Sequence, residues 1–445
     1  MDHLAENDVE RFVKGDLTRA DRRRFVRHLL AGCPECRARV SAAISKEVCP
    51  PLASARQVDY DGCFDHSLRQ TRRLARRCTE DRERLVHGLV WSREKGGLLS
   101  DLPPAQARSI LPWIRVEILL ELAVEERYRD PAWMLELAKH AQAVADRIER
   151  TPYSQGFLGD LRARAWTELA NALRVNEHYE QAEVAIWEAY TIQEDGTGDL
   201  LIAARIYDVE ASLRKDQRHY TDAKNLLRKA HHVYLRAGEH HLAGRTLVSL
   251  GLTLRLSGKP LEAAPVLRRA LSLLDPAQDP KLIATANHDL LNALVDAGQL
   301  AEAGRLLFES NLREVFADDP QCLLRIRWVE GKILARRGRY EDAARIFGDV
   351  RAGFRDHALE YVAAVVGTDE AAMLLHLGRR EEAHLLAIDL SLTFHQLSMS
   401  AEAERALRFL EASCRGRTAT PELAERVGRF LDQAQHNSQL RFEAS

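Results

Sequence analysis

The segment His28-Leu-Leu-Ala-Gly-Cys33-Pro-Glu-Cys36 brings one imidazole and two thiols together within nine residues. Two thiolates spaced Cys-x-x-Cys can bind one ion from a single turn, and a nearby imidazole adds a third donor of the kind zinc prefers. Tetrahedral zinc needs a fourth, and His3 lies upstream. The competing reading is that these thiols are merely small buried side chains. The other five cysteines, Cys49, Cys63, Cys78, Cys322 and Cys414, show no ligand spacing. No glycine-rich phosphate loop, Gly-x-Ser-x-Gly elbow or His-Glu-x-x-His helix occurs in the chain. The doublets His231-His232 and His240-His241 read as helix-end residues facing solvent, not as a second metal site.

Apolar spacing predicts two short amphipathic helices around this motif, over 9–13 and 18–30, joined at Gly15-Asp16. Thr18 with Asp21 three residues on is close to a capping box. Motif and flanks together resemble the zinc-binding anti-sigma fold, a small helical module of bacterial regulators with the pattern His-x3-Cys-x2-Cys and a further His or Cys upstream. His3, twenty-five residues before His28, stands in that upstream place. The resemblance implies His3, His28, Cys33 and Cys36 as ligands of one structural Zn2+, with no open coordination position. It also implies a sigma factor or other transcription regulator as partner, and in some relatives a redox switch. Four residues separate His28 from Cys33 where the family has three, and Gly32 can absorb the extra one.

Most of the remaining chain is repetitive. The phrases ending at Ala182, Ala223, Ala263, Ala303, Ala343 and Ala383 are separated by 41, 40, 40, 40 and 40 residues. Unrelated helices joined by varied loops do not keep such a step, so the chain is read as an array. Each unit is two amphipathic helices, the first ending in a turn such as Leu256-Ser-Gly-Lys, the second opening at the repeated phrase. Twelve residues before each alanine stands Ala170, Ala211, Gly251, Leu291, Gly331 or Ala371, and seven after it Ala189, Ala230, Ala270, Ser310, Val350 or Leu390. Small residues there let paired helices approach closely. Trp166-Thr-Glu-Leu169-Ala170 and the Tyr-x-x-Ala phrases resemble the tetratricopeptide repeat over roughly residues 160–400, although that repeat has about 34 residues.

The expected fold is therefore all-α, a TPR-like solenoid of helical hairpins behind a small helical zinc-binding domain. The expected segments are 1–45 for the zinc module, 46–105 for a helical connector, 106–400 for the array and 401–445 for capping helices and tail. A degenerate hairpin is expected over 114–126 and 131–148, and end-covering helices over 401–414 and 421–435, the latter opening at Thr420-Pro421-Glu422.

In tetratricopeptide arrays the first helices line the concave face. On that register Arg164, Arg205, Arg245 and Arg325 share one position, broken by Thr285 and Val365, while Arg174, Lys215 and Arg255 share another. Such a row suits an acidic peptide or protein segment, because guanidinium groups pair with carboxylates. The alternative is a face neutralised by neighbouring Glu and Asp.

Basic and acidic residues nearly balance, 64 against 66, so no global field draws the chain to nucleic acid or membrane. Two local runs are basic, residues 11–40 and the arginines from Arg69 to Arg84, which keeps a nucleic-acid-binding regulator as an alternative. No recognised nucleic-acid module accompanies them. The chain has no stretch of about 18 apolar residues and its start is acidic, so a cytoplasmic location and no membrane contact are expected. The resulting expectation is a non-enzymatic adaptor with one partner in the groove and another at the zinc module.

Overall fold

In the computed structural model of the protein, the described residues are 6–13, 17–18, 21, 25, 28–29, 33–48, 79–88, 110–127, 129–149, 153–396, 401–434 and 441–442. The chain divides into two compact units, Met1–Glu80 and Asp81–Ser445. Among the described residues there are helices and turns and no strand.

In the first unit, α1 (Glu6–Val13) packs on α2 (Pro34–Val48). Val9, Leu17, Phe25, Cys36 and Val40 are buried between them, with Phe12 stacked on Phe25 at 4.3 Å. The amide of Asp21 donates to Thr18 Oγ1 at 3.2 Å, the bond expected of a helix N-cap.

The second unit is a run of antiparallel hairpins: α3 (Pro112–Glu126) with α4 (Pro131–Arg147), α5 (Gln155–Val175) with α6 (Tyr179–Glu194), and α7 (Leu200–Asp216) with α8 (Tyr220–Ala237). It continues with α9 (His240–Leu256) and α10 (Pro260–Leu273), then α11 (Pro280–Asp296) and α12 (Leu300–Glu309), then a single turn, α13 (Leu312–Val315). Last come α14 (Pro320–Arg336) with α15 (Tyr340–Asp356), α16 (Glu360–His376) with α17 (Arg380–Gln396), and α18 (Ala401–Arg415) with α19 (Pro421–Ala434). The expected early hairpin and terminal helices are thus present, and Thr420 Oγ1 accepts from the Leu423 amide at the start of α19.

The period comes from a three-residue turn that recurs unchanged. Its central residue is left-handed: Glu177, Arg218, Gly258, Gly298, Gly338 and Gly378 all have positive φ. The next amide in each case reaches back five residues, as in Lys259 N to Leu254 O and Gln299 N to Leu294 O, closing the last turn of the first helix. With the turn fixed at three residues, the length beyond a standard repeat lies in the helices, 17 residues in α7, α9, α11, α14 and α16. A Cβ on Gly298 would meet nothing within 4 Å, so Gly298→Ala carries only the left-handed backbone cost. It is expected to lower unfolding free energy by about 1 kcal/mol in urea melts.

All six phrase alanines are 0% exposed, which places them in equivalent contacts between paired helices. Gly331 stands where a Cβ would come 2.5 Å from Phe347 Cε1, so α14 and α15 approach too closely for a side chain there. Consecutive first helices touch, α3 with α5, α5 with α7, α7 with α9, α9 with α11 and α11 with α14, while consecutive second helices make at most marginal contact. The first helices therefore form the inner layer.

One departure from the repeat was not foreseen. The helix α12 stops at Glu309, leaving Ser310 beyond its end, not packed seven residues after Ala303 as in the other units. The missing turns are replaced by α13, whose Leu312 is buried, and an open cleft of about 360 Å³ lies beside Leu307, Phe308 and Ile326. At the far end α19 folds onto α16, with Tyr361 Oη donating to Leu431 O. Helix α16 is therefore buried along most of its length from Ala363 to Leu374, with Asp369 and Glu370 engaged by Trp328 and Arg351.

Candidate functional site

In the first unit the donor atoms of His28, Cys33 and Cys36 lie within 4.8 Å of one another. His28 Nε2 is 3.2 Å from Cys36 Sγ. Donors around a tetrahedral zinc stand about 3.5–3.8 Å apart, so small side-chain adjustments would close this triad on one ion. Cys33 opens α2, while Cys36 is buried against Val9, Phe25 and Val40, so the fold holds the ligands in place. Two thiols and an imidazole are a zinc donor set, and the residues present fit that metal. His3, the expected fourth ligand, lies outside the described residues, as do Cys49, Cys63 and Cys78.

The inner layer of the second unit shows where the predicted cations go. Arg164 makes a two-pronged contact to Glu117 of α3 at 2.5 and 2.7 Å, and Arg205 does the same to Glu168 of α5 at 2.7 and 2.9 Å. Arg245 reaches Asp208 of α7 at 3.1 Å, and Arg205 also holds Asp208 at 3.0 Å. Each guanidinium thus bonds a carboxylate on the preceding first helix, forming a ladder along the array. A second set points forward: Arg174 to Asp216 at 2.5 Å, with Lys215 on the same carboxylate at 2.7 Å, and Arg255 to Asp296 at 3.3 Å. Burial opposes ionisation of Glu168, yet Arg205, and Arg245 behind it, hold its carboxyl below the usual range. Five of the seven predicted cations therefore tie hairpins together, and a sixth, Lys215, pairs with its neighbour Asp216 within α7.

The seventh, Arg325, makes no ion pair among the described residues. In the rungs Arg205–Glu168 and Arg245–Asp208 the partners are 37 residues apart. Thirty-seven residues before Arg325 stands His288, not an acid. Burial, with Arg255, Arg325 and Lys332 nearby, pushes His288 down to about 4, so it is neutral near pH 7. Arg325 lies instead over the Phe354 ring at 5.9 Å, and Lys332 over the Trp328 ring at 4.2 Å. The missing rungs at Thr285 and Val365 have the uncharged Val248 and Trp328 as counterparts, so both partners lose charge together.

Beside His288 the carboxyl of Asp289 is 7% exposed, and its nearest ionisable nitrogen is His288 Nδ1 at 4.0 Å. Burial raises it to about 6, with Arg255 and Lys215 offsetting part of the effect. Because the folded value lies above the ordinary one, any stability from Asp289 is present below the unfolded value and is lost as pH rises through about 6. Near pH 7 the ionised group costs about 3 kcal/mol. Asp289→Asn is expected to recover that amount at neutral pH and nothing near pH 4. His288, depressed, contributes oppositely, losing stability as pH falls towards about 4. The difference between variant and wild type, followed by chemical denaturation across pH, isolates Asp289.

Of the remaining features, Arg82 pairs with Glu121 and Glu125, while Arg69 to Arg77 lie outside the described residues. His231 and His241 are each engaged with backbone, at Ala243 O and Asp275 N. Cys322 is half-buried and Cys414 buried, both as free thiols. Among the described residues no helix is long and apolar enough to cross a membrane.

No family model matches the sequence, and no curated protein matches it. Among solved structures, a Rap protein complexed with competence and sporulation factor is similar over 72% of this chain and 88% of that one, at 11% identity and a TM-score of 0.53. Aspartyl phosphate phosphatase F from Bacillus subtilis is similar over 73% and 85%, at 14% identity and a TM-score of 0.44. At such identities likeness speaks for fold alone, and the second falls too low to carry weight. The described second unit is an all-α, TPR-like solenoid of helical hairpins, the architecture it shares with the Rap protein.

Proposed function

We propose that the protein is a non-enzymatic adaptor. The inner face of its helical array docks a segment of one protein partner, and its N-terminal module, built around one structural zinc, binds a second, regulatory partner. The observation that carries this reading is the continuous inner layer of first helices, from α3 to α14, held in register by the charged ladder. A surface braced repeat by repeat is pre-organised, which lowers the entropic cost of docking an extended segment. The Rap protein of similar fold was solved in complex with a factor, which agrees with a docking role for such an array.

The His28, Cys33 and Cys36 cluster supports the zinc module, with His3 as fourth ligand, and the anti-sigma resemblance makes a sigma factor or another transcription regulator its candidate partner. Affinity capture from a bacterial lysate with the full chain, followed by cross-linking and mass spectrometry, tests both halves. Cross-links from a partner to first helices are expected for the array. Recovery of neither a sigma factor nor polymerase would remove that partner class, and absence of partner cross-links to first helices would remove the groove reading.

A further inference from the structure

Along the arginine row of the first helices, Arg164, Arg205 and Arg245 each meet a carboxylate on the preceding first helix, and Arg325 does not. Arg325 and Lys332 lie on α14, seven residues and thus about 10 Å apart along one side of the helix. Neither has a carboxylate partner; each is parked on an aromatic ring. An aromatic face orients a cation without neutralising it, which leaves its charge available to a ligand. Opposite Arg325, where the ladder has Glu168 and Asp208 in earlier rungs, stands neutral His288.

We propose that this open rung is a docking site for the acidic side chains of the partner segment, with Arg325 and Lys332 as its two binding cations and a partner carboxylate taking the place that an acid of the chain fills elsewhere. The proposal rests on the reading of the inner face as the docking surface, and it names both the place and the chemistry of the ligand. Charge complementarity selects an acidic segment: Arg325 and Lys332 are unmatched, whereas the cations of the other rungs are occupied by Glu117, Glu168, Asp208, Asp216 and Asp296.

Asp289 makes the site sensitive to pH. It is buried beside His288, with Oδ1 4.0 Å from His288 Nδ1, and its charge opposes an incoming carboxylate. The charges that bear on it are Arg255 of α9 and Lys215 of α7; those that bear on His288 are Arg255 with Arg325 and Lys332 of α14. From the other elements packed on α11, Arg268 of α10 is paired with Glu302 of α12, and Arg313 of α13 with Glu330 of α14. His288 stays neutral above pH 5, so the change in charge between about pH 7.5 and 5.5 belongs to Asp289.

The test is fluorescence anisotropy of the full chain with a labelled Glu- and Asp-rich peptide and its Gln/Asn counterpart at low salt. The acidic probe is expected to bind and the neutral one not. The double variant Arg325→Met, Lys332→Met should weaken binding by about tenfold or more. Arg268→Met, which removes a cation paired with Glu302 between the second helices α10 and α12, should change it less than about twofold. Binding should tighten on moving from about pH 7.5 to 5.5, and Asp289→Asn should abolish that slope while binding as tightly at the higher pH as wild type does at the lower. Both substituted cations lie outside the ladder, so thermal melts should show the double variant folded; the Asp289→Asn slope provides a reading free of that concern. Equal binding of the neutral probe, no binding of the acidic probe, or equal loss in Arg268→Met overturns the proposal. If captured partners nevertheless cross-link to first helices, groove docking survives its failure; if they do not, both fall.

Discussion

Removing zinc is expected to unfold the N-terminal module. Among the described residues the buried core there holds Val9, Leu17, Phe25, Cys36 and Val40, and a module of some forty residues buries little apolar surface to offset the ordering of its helices. Structural zinc in modules of this size contributes about 10–16 kcal/mol of apparent binding free energy, available only when the ligands are assembled. Purified protein should carry one zinc per chain. Chelation, or Cys36→Ala, should abolish amide-exchange protection across α1 and α2, while α3 to α19 stay protected. His3→Ala should weaken zinc binding without removing the other three donors. Protection that persists in metal-free Cys36→Ala protein would show that the cysteines serve only as packing.

Arg205→Met should be the most damaging single substitution in the charged ladder, costing about 3–5 kcal/mol in urea unfolding. Arg205 bridges Glu168 and Asp208, two largely buried carboxylates, and without it only Arg245 remains near them. Removing one member of a buried pair leaves desolvated charge uncompensated, whereas removing both members is nearly neutral. Arg205→Met combined with Glu168→Leu is therefore expected to recover much of the loss. Acid should reproduce part of the effect in wild type. The Glu168 carboxyl is depressed in the folded state, so its contribution is present above the unfolded value and lost as pH falls through the folded one, at strongly acid pH. A cost below about 1 kcal/mol for Arg205→Met would mean that solvent screens the ladder as it screens surface pairs.

Helix, period and paired packing were legible in the residues because they are local. A left-handed turn centre every forty residues and an alanine at each interface repeat at fixed spacing, and a helix converts fixed spacing into a fixed face. The cysteines and His28 were legible for the same reason, since eight residues along a turn and helix start bound how far apart their donors can be. The arginine row was legible as a row, but not in its bonding. That Arg205 holds Glu168 and Asp208, while Arg325 lies over the Phe354 ring, depends on how one hairpin is rotated against the next. A usable signal lay in the residue 37 positions earlier, where Glu168 and Asp208 give way to His288.

The broken hairpin and the covered end show the same division. Ser310 occupies a position that elsewhere holds Ala, Val or Leu, yet nothing in its neighbours declares that α12 ends one residue before it. End-covering helices over 401–414 and 421–435 were legible, but that α19 lies on α16 while α18 packs on α17 is a matter of chain return. By itself the sequence determined the repeated unit, its turns, its small interface residues and the clustering of His28, Cys33 and Cys36, because those depend on neighbours within a few turns. Only the tertiary structure decided which cations are spent holding hairpins together and which one faces an empty rung, because ion pairing across stacked helices depends on distances between residues some forty positions apart.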